Sequence, residues 1–253
     1  MPTNVSLTGL SASDRIPGVY TEINFAAGSS SGVSPKRALI LANKSAAGSG
    51  AVETLFGPDT MVPLSSEAEA IALFGPGSEA HLAFKRFTQF NQSIPLYVML
   101  VASTGTAATG TFTLAGTATS SGTVRLYRDR RDYVDASFAV SDGYATVGAA
   151  VVAAVNSKQS WPYTASVAAS GVVTLTAKCP GARGNQLRFQ AVLKGTGITV
   201  SSQASTALSS GTGEDSYTNV LAAIASERFN YIIPSTTDAA NLALIKAQVV
   251  NMA

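Results

Sequence analysis

One histidine and one cysteine occur in 253 residues, and charged side chains make up only 13% of the chain. Each shortage closes off a class of function. Any Ser/His/Asp triad, Cys/His pair or zinc site would have to use His81 or do without histidine. His81 falls in the first turns of a predicted helix beside Leu82, which reads as a surface or packing residue. The lone Cys179 excludes an intramolecular disulfide and fits synthesis in a reducing cytosol; it reads as a small, partly buried turn residue. The 15 acidic residues are scattered, with no pattern that identifies a catalytic carboxylate pair. A formal net charge of +2 is far from the basic footprint of a nucleic-acid binder. No stretch approaches the roughly 20 consecutive apolar residues that span a bilayer. The leader MPTNVSLTGLSAS lacks both a basic and an apolar signal-peptide region. The expectation is therefore no membrane insertion and no secretory route, which leaves the sequons at Asn4, Asn43 and Asn91 as chance matches.

What is present is a change of texture along the chain. Residues 1–35 carry few long apolar side chains and end in the Gly/Ser run GSSSGVSP, as an arm and linker would. RALILAN (37–43) and PLYVMLVAS (95–103) read as buried strands. Between them, Ser65-Ser66-Glu67 and Ser78 open two helices, the second with Leu82, Phe84, Phe87 and Phe90 at near-helical spacing. That order predicts βαβ-type packing. From 104 to 213 the composition turns to Thr, Ser, Ala, Gly and Val in alternating runs, including TGTFTLAGTAT, TVRLYR, DYVDASFAV, YTASVAA, VVTLTAK and LRFQAVL. One small-residue helix, YATVGAAVVAAVNS (144–157), interrupts them and should pack closely on a sheet. FNYIIP (229–234) reads as a third strand of the first layer, and Asp238 as the cap of a last helix. The expected fold is α/β (α+β): an α/β layered domain interrupted by an inserted β-rich domain, with an extended N-terminal arm. Its parts are an arm and linker at 1–35, the α/β domain at 36–103, the insertion at 104–213, and the α/β domain continued at 214–253. A thin three-strand sheet and a helix running to Ala253 suggest a truncated product.

Three loops could carry chemistry. FGPGSE (74–79) places glycines before a helix, as phosphate cradles do, but lacks Gly-Lys-Ser/Thr and does not follow a strand directly. It reads as a turn in which Gly75 and Gly77 supply unusual backbone angles and Ser78 caps the helix. RLYRDRRDY (125–133) is the densest charge cluster, with Arg125, Arg128, Arg130 and Arg131. It reads first as a solvated turn, second as an inter-subunit contact, and last as a nucleic-acid contact. In KCPGARGN (178–185), Lys178 and Arg183 are expected only to flank a turn.

Five motifs in order, IPGVYTEI (16–23), LFGPGS (73–78), PLYVMLV (95–101), TLTAKCPGARGN (174–185) and FNYIIPSTTDAANLALI (229–245), resemble the tail sheath protein of contractile-tailed phages, Mu-like branch, in its N-terminal portion. The resemblance implies a virion subunit, assembled in the host cytoplasm, that forms a helical homo-oligomer around the tail tube. Baseplate and tail terminator proteins are its further partners, and no cofactor, nucleic acid or active site is involved. Sheath subunits of this kind exchange strands with neighbours. Carried onto this chain, Val19, Tyr20, Thr21, Glu22, Ile23, Asn24 and Phe25 would be the donated strand, since an extended apolar element must find a sheet edge for its backbone groups. Another virion or adhesin-like β module remains an alternative, as does a hydrolase or nucleotide-binding enzyme.

Overall fold

The computed structural model describes residues 36–45, 59–103, 105–201 and 206–252. The expected donor strand, Val19 to Phe25, lies outside the described residues. In chain order the described elements begin with strands β1 (Ala38–Ala42) and β2 (Met61–Leu64), helices α1 (Glu67–Phe74) and α2 (Glu79–Phe90), and strand β3 (Leu96–Leu100). Strands β4 (Thr109–Gly116), β5 (Gly122–Asp129) and β6 (Asp132–Phe138) and helix α3 (Tyr144–Ser157) follow. Next come β7 (Tyr163–Val167), β8 (Val172–Ala177), a 3-10 helix (Ala182–Gln186), β9 (Gln190–Lys194) and β10 (Ile198–Ser201). Helix α4 (Thr218–Ala223), strand β11 (Tyr231–Pro234) and helix α5 (Ala239–Met252) complete the order. The fold is mixed α/β, as expected.

The first sheet has the order β11-β1-β3-β2. β1 runs parallel to both neighbours, with Ala38 opposite Leu96 on one side and Tyr231 on the other. All five residues of β1 are 0% exposed, because helices cover both faces of a central parallel strand and leave no polar side. Ala38, Ile40 and Ala42 pack with Ala70, Phe74 and Phe84 of α1 and α2. Leu39 and Leu41 pack with Val220 of α4 and Ile245 of α5. Complete burial of each Leu or Ile contributes about 2 kcal/mol. The sheet has four strands rather than three. The unexpected one is β2, antiparallel to β3, whose sequence MVPL hides a strand behind Pro63; proline is tolerated because β2 is an edge. α4 and β10 were likewise not anticipated.

Residues 105–201 form two further sheets, β10-β4-β8-β7 and β6-β5-β9, both contacted by α3. α3 spans the expected 144–157 and buries Val147, Gly148, Val151 and Val155. A Cβ on Gly148 would lie 2.8 Å from Val167 Cγ2, so the absent side chain is what allows the close approach. The core they share is built on Phe112, Leu126, Trp161, Tyr163 and Phe189. β9 starts at Gln190, later than LRFQAVL suggests, because Phe189 turns inward to 2% exposure against Gly110.

The chain enters and leaves this region through a two-stranded antiparallel neck. Ala102 pairs with Ser216, Thr106 with Thr212 and Thr109 with Ser209. The two Thr106–Thr212 backbone bonds are 3.0 and 3.3 Å, and those of Thr109–Ser209 are 2.8 and 2.7 Å.

Candidate functional site at the carboxyl ends of the parallel strands

In an open parallel sheet the crevice beyond the carboxyl ends, where strand order reverses, is where ligands bind. β1 is that point here, since its parallel neighbours β3 and β11 lie on opposite sides. The crevice is filled by the protein's own side chains. Asn43, directly after β1, donates through Nδ2 to Asp215 Oδ1 at 2.8 Å. Asn241 of α5 donates to the Asp215 carbonyl at 3.0 Å. Arg183 enters from the 3-10 helix: its guanidinium pairs with Asp215, with Glu79 at 2.5 Å, and donates to the Ser235 carbonyl just past β11. The Arg183 and Asp215 side chains are 9% and 2% exposed. Burial raises the Glu79 carboxyl above its usual pKa; Arg183 opposes this and the neighbouring Asp215 charge reinforces it. The space left here, lined by Asn43, Ser45, Val101, Ser103 and Pro180, is about 210 Å³, below the roughly 300 Å³ at which small-molecule sites begin.

The helix start that resembles a phosphate cradle is equally occupied. Gly75 and Gly77 have φ of 85° and 76°, and the Ser78 hydroxyl accepts from the His81 amide at 3.1 Å, as expected of a turn that opens a helix. Each exposed-looking amide has an internal acceptor. That of Gly77 donates to His81 Nδ1 at 2.9 Å, that of Glu79 to Cys179 Sγ at 3.4 Å, and that of Ala80 to the Asn43 carbonyl at 3.2 Å. With those donors spent and Glu79 placed in the first turn, an arriving anion would find no free N–H and a like charge. His81 is 1% exposed, and its Nε2 faces Glu67 Oε1 at 3.1 Å. Because Nδ1 accepts, Nε2 carries the proton and donates to Glu67. It is a packing histidine, as expected, but buried rather than superficial.

Cys179 is 7% exposed, and its thiol also donates to the Lys44 carbonyl at 3.3 Å. Burial, reinforced by the Glu79 charge, pushes the thiol up to about 12, so it stays protonated and is not a nucleophile. Among the described residues no group of three or more His, Cys, Asp or Glu side chains is arranged to hold a metal ion.

The loop KCPGARGN differs from its expected role. Arg183 does not flank a turn but is the centre of the cluster, and Lys178 Nζ donates to the carbonyls of Pro76 and Gln159, both at 2.9 Å. The arrangement brings together positions 43, 79, 183, 215 and 241, which no local spacing connects. The one sequence signal is an arginine set between glycines in a charge-poor chain.

The arginines of RLYRDRRDY divide in two. Arg125 forms a two-pronged pair with Asp135 at 2.6 and 2.7 Å and lies 4.0 Å above the Tyr133 ring. Arg128 Nε donates to Asp132 Oδ2 at 2.7 Å. Asp132 also accepts from Lys158 Nζ at 2.8 Å and from the Trp161 indole at 2.9 Å, tying the β5–β6 hairpin to the end of α3. Arg130 and Arg131 are exposed at the turn.

The chain matches no family model. Over 257 aligned residues it is 28% identical to the tail sheath protein of the Mu-like prophage FluMu of Haemophilus influenzae. The chain is related to a Mu-like tail sheath protein. The alignment covers 98% of this chain and 50% of that protein, so the chain spans about half the length of the curated relative it matches. The crystal structure of the sheath tail protein of Listeria innocua aligns with 87% of this chain and 45% of its own, at 15% identity and a TM-score of 0.30, a likeness too low to carry an argument.

Proposed function

We propose that this chain is a structural, non-enzymatic subunit of a contractile phage tail sheath. The observation that carries the reading is the relationship to a Mu-like tail sheath protein along nearly the whole chain. The occupied switch-point crevice and the spent amides of α2 support it, because they fill the crevice and the helix start at which a nucleotide would bind in this architecture. In this reading the subunits polymerise around the tail tube, are bounded by baseplate and terminator proteins, and contract to drive the tube through the host envelope. The work comes from repacking of subunits. Val19 to Phe25 serve as the strand donated to a neighbour, and residues 104–213 form an inserted module that projects outward. Of the four hairpin arginines, Arg130 and Arg131 are the ones left for an inter-subunit contact, since Arg125 and Arg128 already hold carboxylates of their own hairpin.

Immunogold electron microscopy of particles from an induced lysate of the source, with an antibody against this chain, tests the reading. Label along the tail shaft that shortens on contraction is the expected result. Label confined to capsid, fibres or baseplate discards the sheath role, and no labelled particle discards a virion role altogether.

A further inference from the structure

The apolar core of residues 105–201 shares no member with the two cores that flank the first sheet. What joins them is mostly polar, and includes hydrogen bonds from Lys178 Nζ to the Pro76 carbonyl, from the Glu79 amide to Cys179 Sγ, and from Gln186 Nε2 to Thr237 Oγ1. The neck is one part of the joint, and the 3-10 helix is stapled along it. The amides of Gly181 and Ala182 donate to the carbonyls of Thr106 and Gly213 at 3.0 and 2.9 Å. Asn185 exchanges two bonds with the backbone of Gly211, at 3.0 and 2.8 Å. From that helix Arg183 crosses to Glu79 of α2, to Asp215 at the foot of the neck, and to the carbonyl after β11. Among the described residues, the ion pairs that cross this joint are both made by Arg183.

We propose that Arg183 is the bolt of a hinge. Engaged with Glu79 and Asp215, it holds residues 105–201 at one fixed angle to the first sheet; withdrawn, it leaves the weaker hydrogen bonds of Lys178, Cys179 and Gln186 across the joint, which open with it and let that body swing about the neck with its core intact. The inference rests on reading 104–213 as an inserted module, and not on assembly into a sheath. The physical basis is a difference between joints. An apolar interface opens only by exposing area to water, whereas a bolt of one guanidinium and two carboxylates opens when those groups are rehydrated, leaving both cores dry. Gly77 shows how closely the engaged state fits: a Cβ there would stand 2.2 Å from the Trp161 carbonyl across the joint.

Amide hydrogen exchange on the full chain tests this in Arg183→Met and in the triple variant Glu79→Gln/Arg183→Met/Asp215→Asn. The triple variant avoids leaving two buried carboxylates without a partner, so it is expected to fold even where the single one does not. The expected result is that the amides of Thr106, Gly181, Ala182, Thr212 and Ser216 exchange at least about tenfold faster, while those of β1, β3, β4 and β8 keep parental rates. The radius of gyration from X-ray scattering should rise in parallel. Neck amides at parental rates in both variants would show that Arg183 is no bolt. A rise shared equally by neck and cores would show a single cooperative unit, and the module reading would fall with the hinge. Neither outcome bears on whether the chain builds a sheath.

Discussion

Asp132 is held by three donors, and replacing it with asparagine separates their contributions. The two cations are half exposed, with 36% of the Arg128 and 40% of the Lys158 side chain open to water, so each pair contributes no more than about 0–1 kcal/mol. The Trp161 indole differs. The residue is 0% exposed, and its N–H faces both Asp132 oxygens, at 2.9 and 3.0 Å. The asparagine amide presents one oxygen and one NH2, so the indole keeps an acceptor either way and one cation, Arg128 through Nε or Lys158 through Nζ, meets a donor. A part-buried donor left facing another donor costs about 1 kcal/mol, the low end for unsatisfied groups. Added to the two weakened pairs, this gives a loss of about 1–3 kcal/mol for Asp132→Asn. Urea denaturation followed by fluorescence reads it, since Trp161 is the only tryptophan and changes from buried to wet on unfolding. Burial pulls the Asp132 carboxyl up, but the bonds from Lys158, Trp161 and Arg128 outweigh it and leave the pKa below the ordinary 3.8. A depressed carboxyl contributes stability that is fully present above its unfolded pKa and lost as pH falls through its folded value. The gap between parent and variant should therefore be constant at neutral pH and close only below the ordinary carboxylate range. A loss under about 0.5 kcal/mol, or a gap that persists unchanged at low pH, refutes the reasoning.

Gly77→Ala forces a methyl against the Trp161 carbonyl at a φ of 76°, and should cost at least about 2 kcal/mol by thermal denaturation; a neutral result would mean that the turn and residues 159–161 move apart freely. Cys179 should resist a thiol reagent in the native protein at pH 8 and react fully in denaturant, whereas prompt stoichiometric reaction would contradict its burial. Val19→Pro should leave the far-ultraviolet circular dichroism unchanged and abolish sheath assembly, because it removes a ladder donor from the proposed exchanged strand. Sheath formed by that variant would remove Val19 from the exchange. Raised by burial, Glu79 contributes stability that is fully present below the ordinary 4.5 and lost as pH rises through its higher folded value. Glu79→Gln should flatten that part of the pH profile, and an unchanged slope would assign it to another group.

Periodicity and caps revealed most of the elements, because those signals are local. α3 spans the 144–157 expected of YATVGAAVVAAVNS, and Ser66, Ser78 and Asp238 each cap the helix they are expected to open. α2 lies where expected, and of its apolar recurrence Phe84 is buried and Phe87 packs against the core. Ala80, His81 and Phe84 turn inward, while Phe90 is 73% exposed under the Arg86 guanidinium at 4.7 Å. An aromatic at helical spacing cannot reveal that the sheet beneath it has already ended.

β2 and the ion cluster were illegible for a different reason. Met61–Leu64 is too short for periodicity and contains a proline, so only its place at the edge beside β3 makes it a strand. Arg183 stands 104 positions from Glu79 and 32 from Asp215, and each contact exists only because the neck brings the ends of the intervening segment together. From the sequence Arg183 reads as flanking a turn, because arginine in a Gly-rich turn is usually exposed. In a chain with so few charges, an arginine that the fold buries needs carboxylates from elsewhere, and here the carboxyl ends of a parallel sheet supply them. The crevice that makes this architecture a binding site in enzymes is thereby turned into a fastening between two cores.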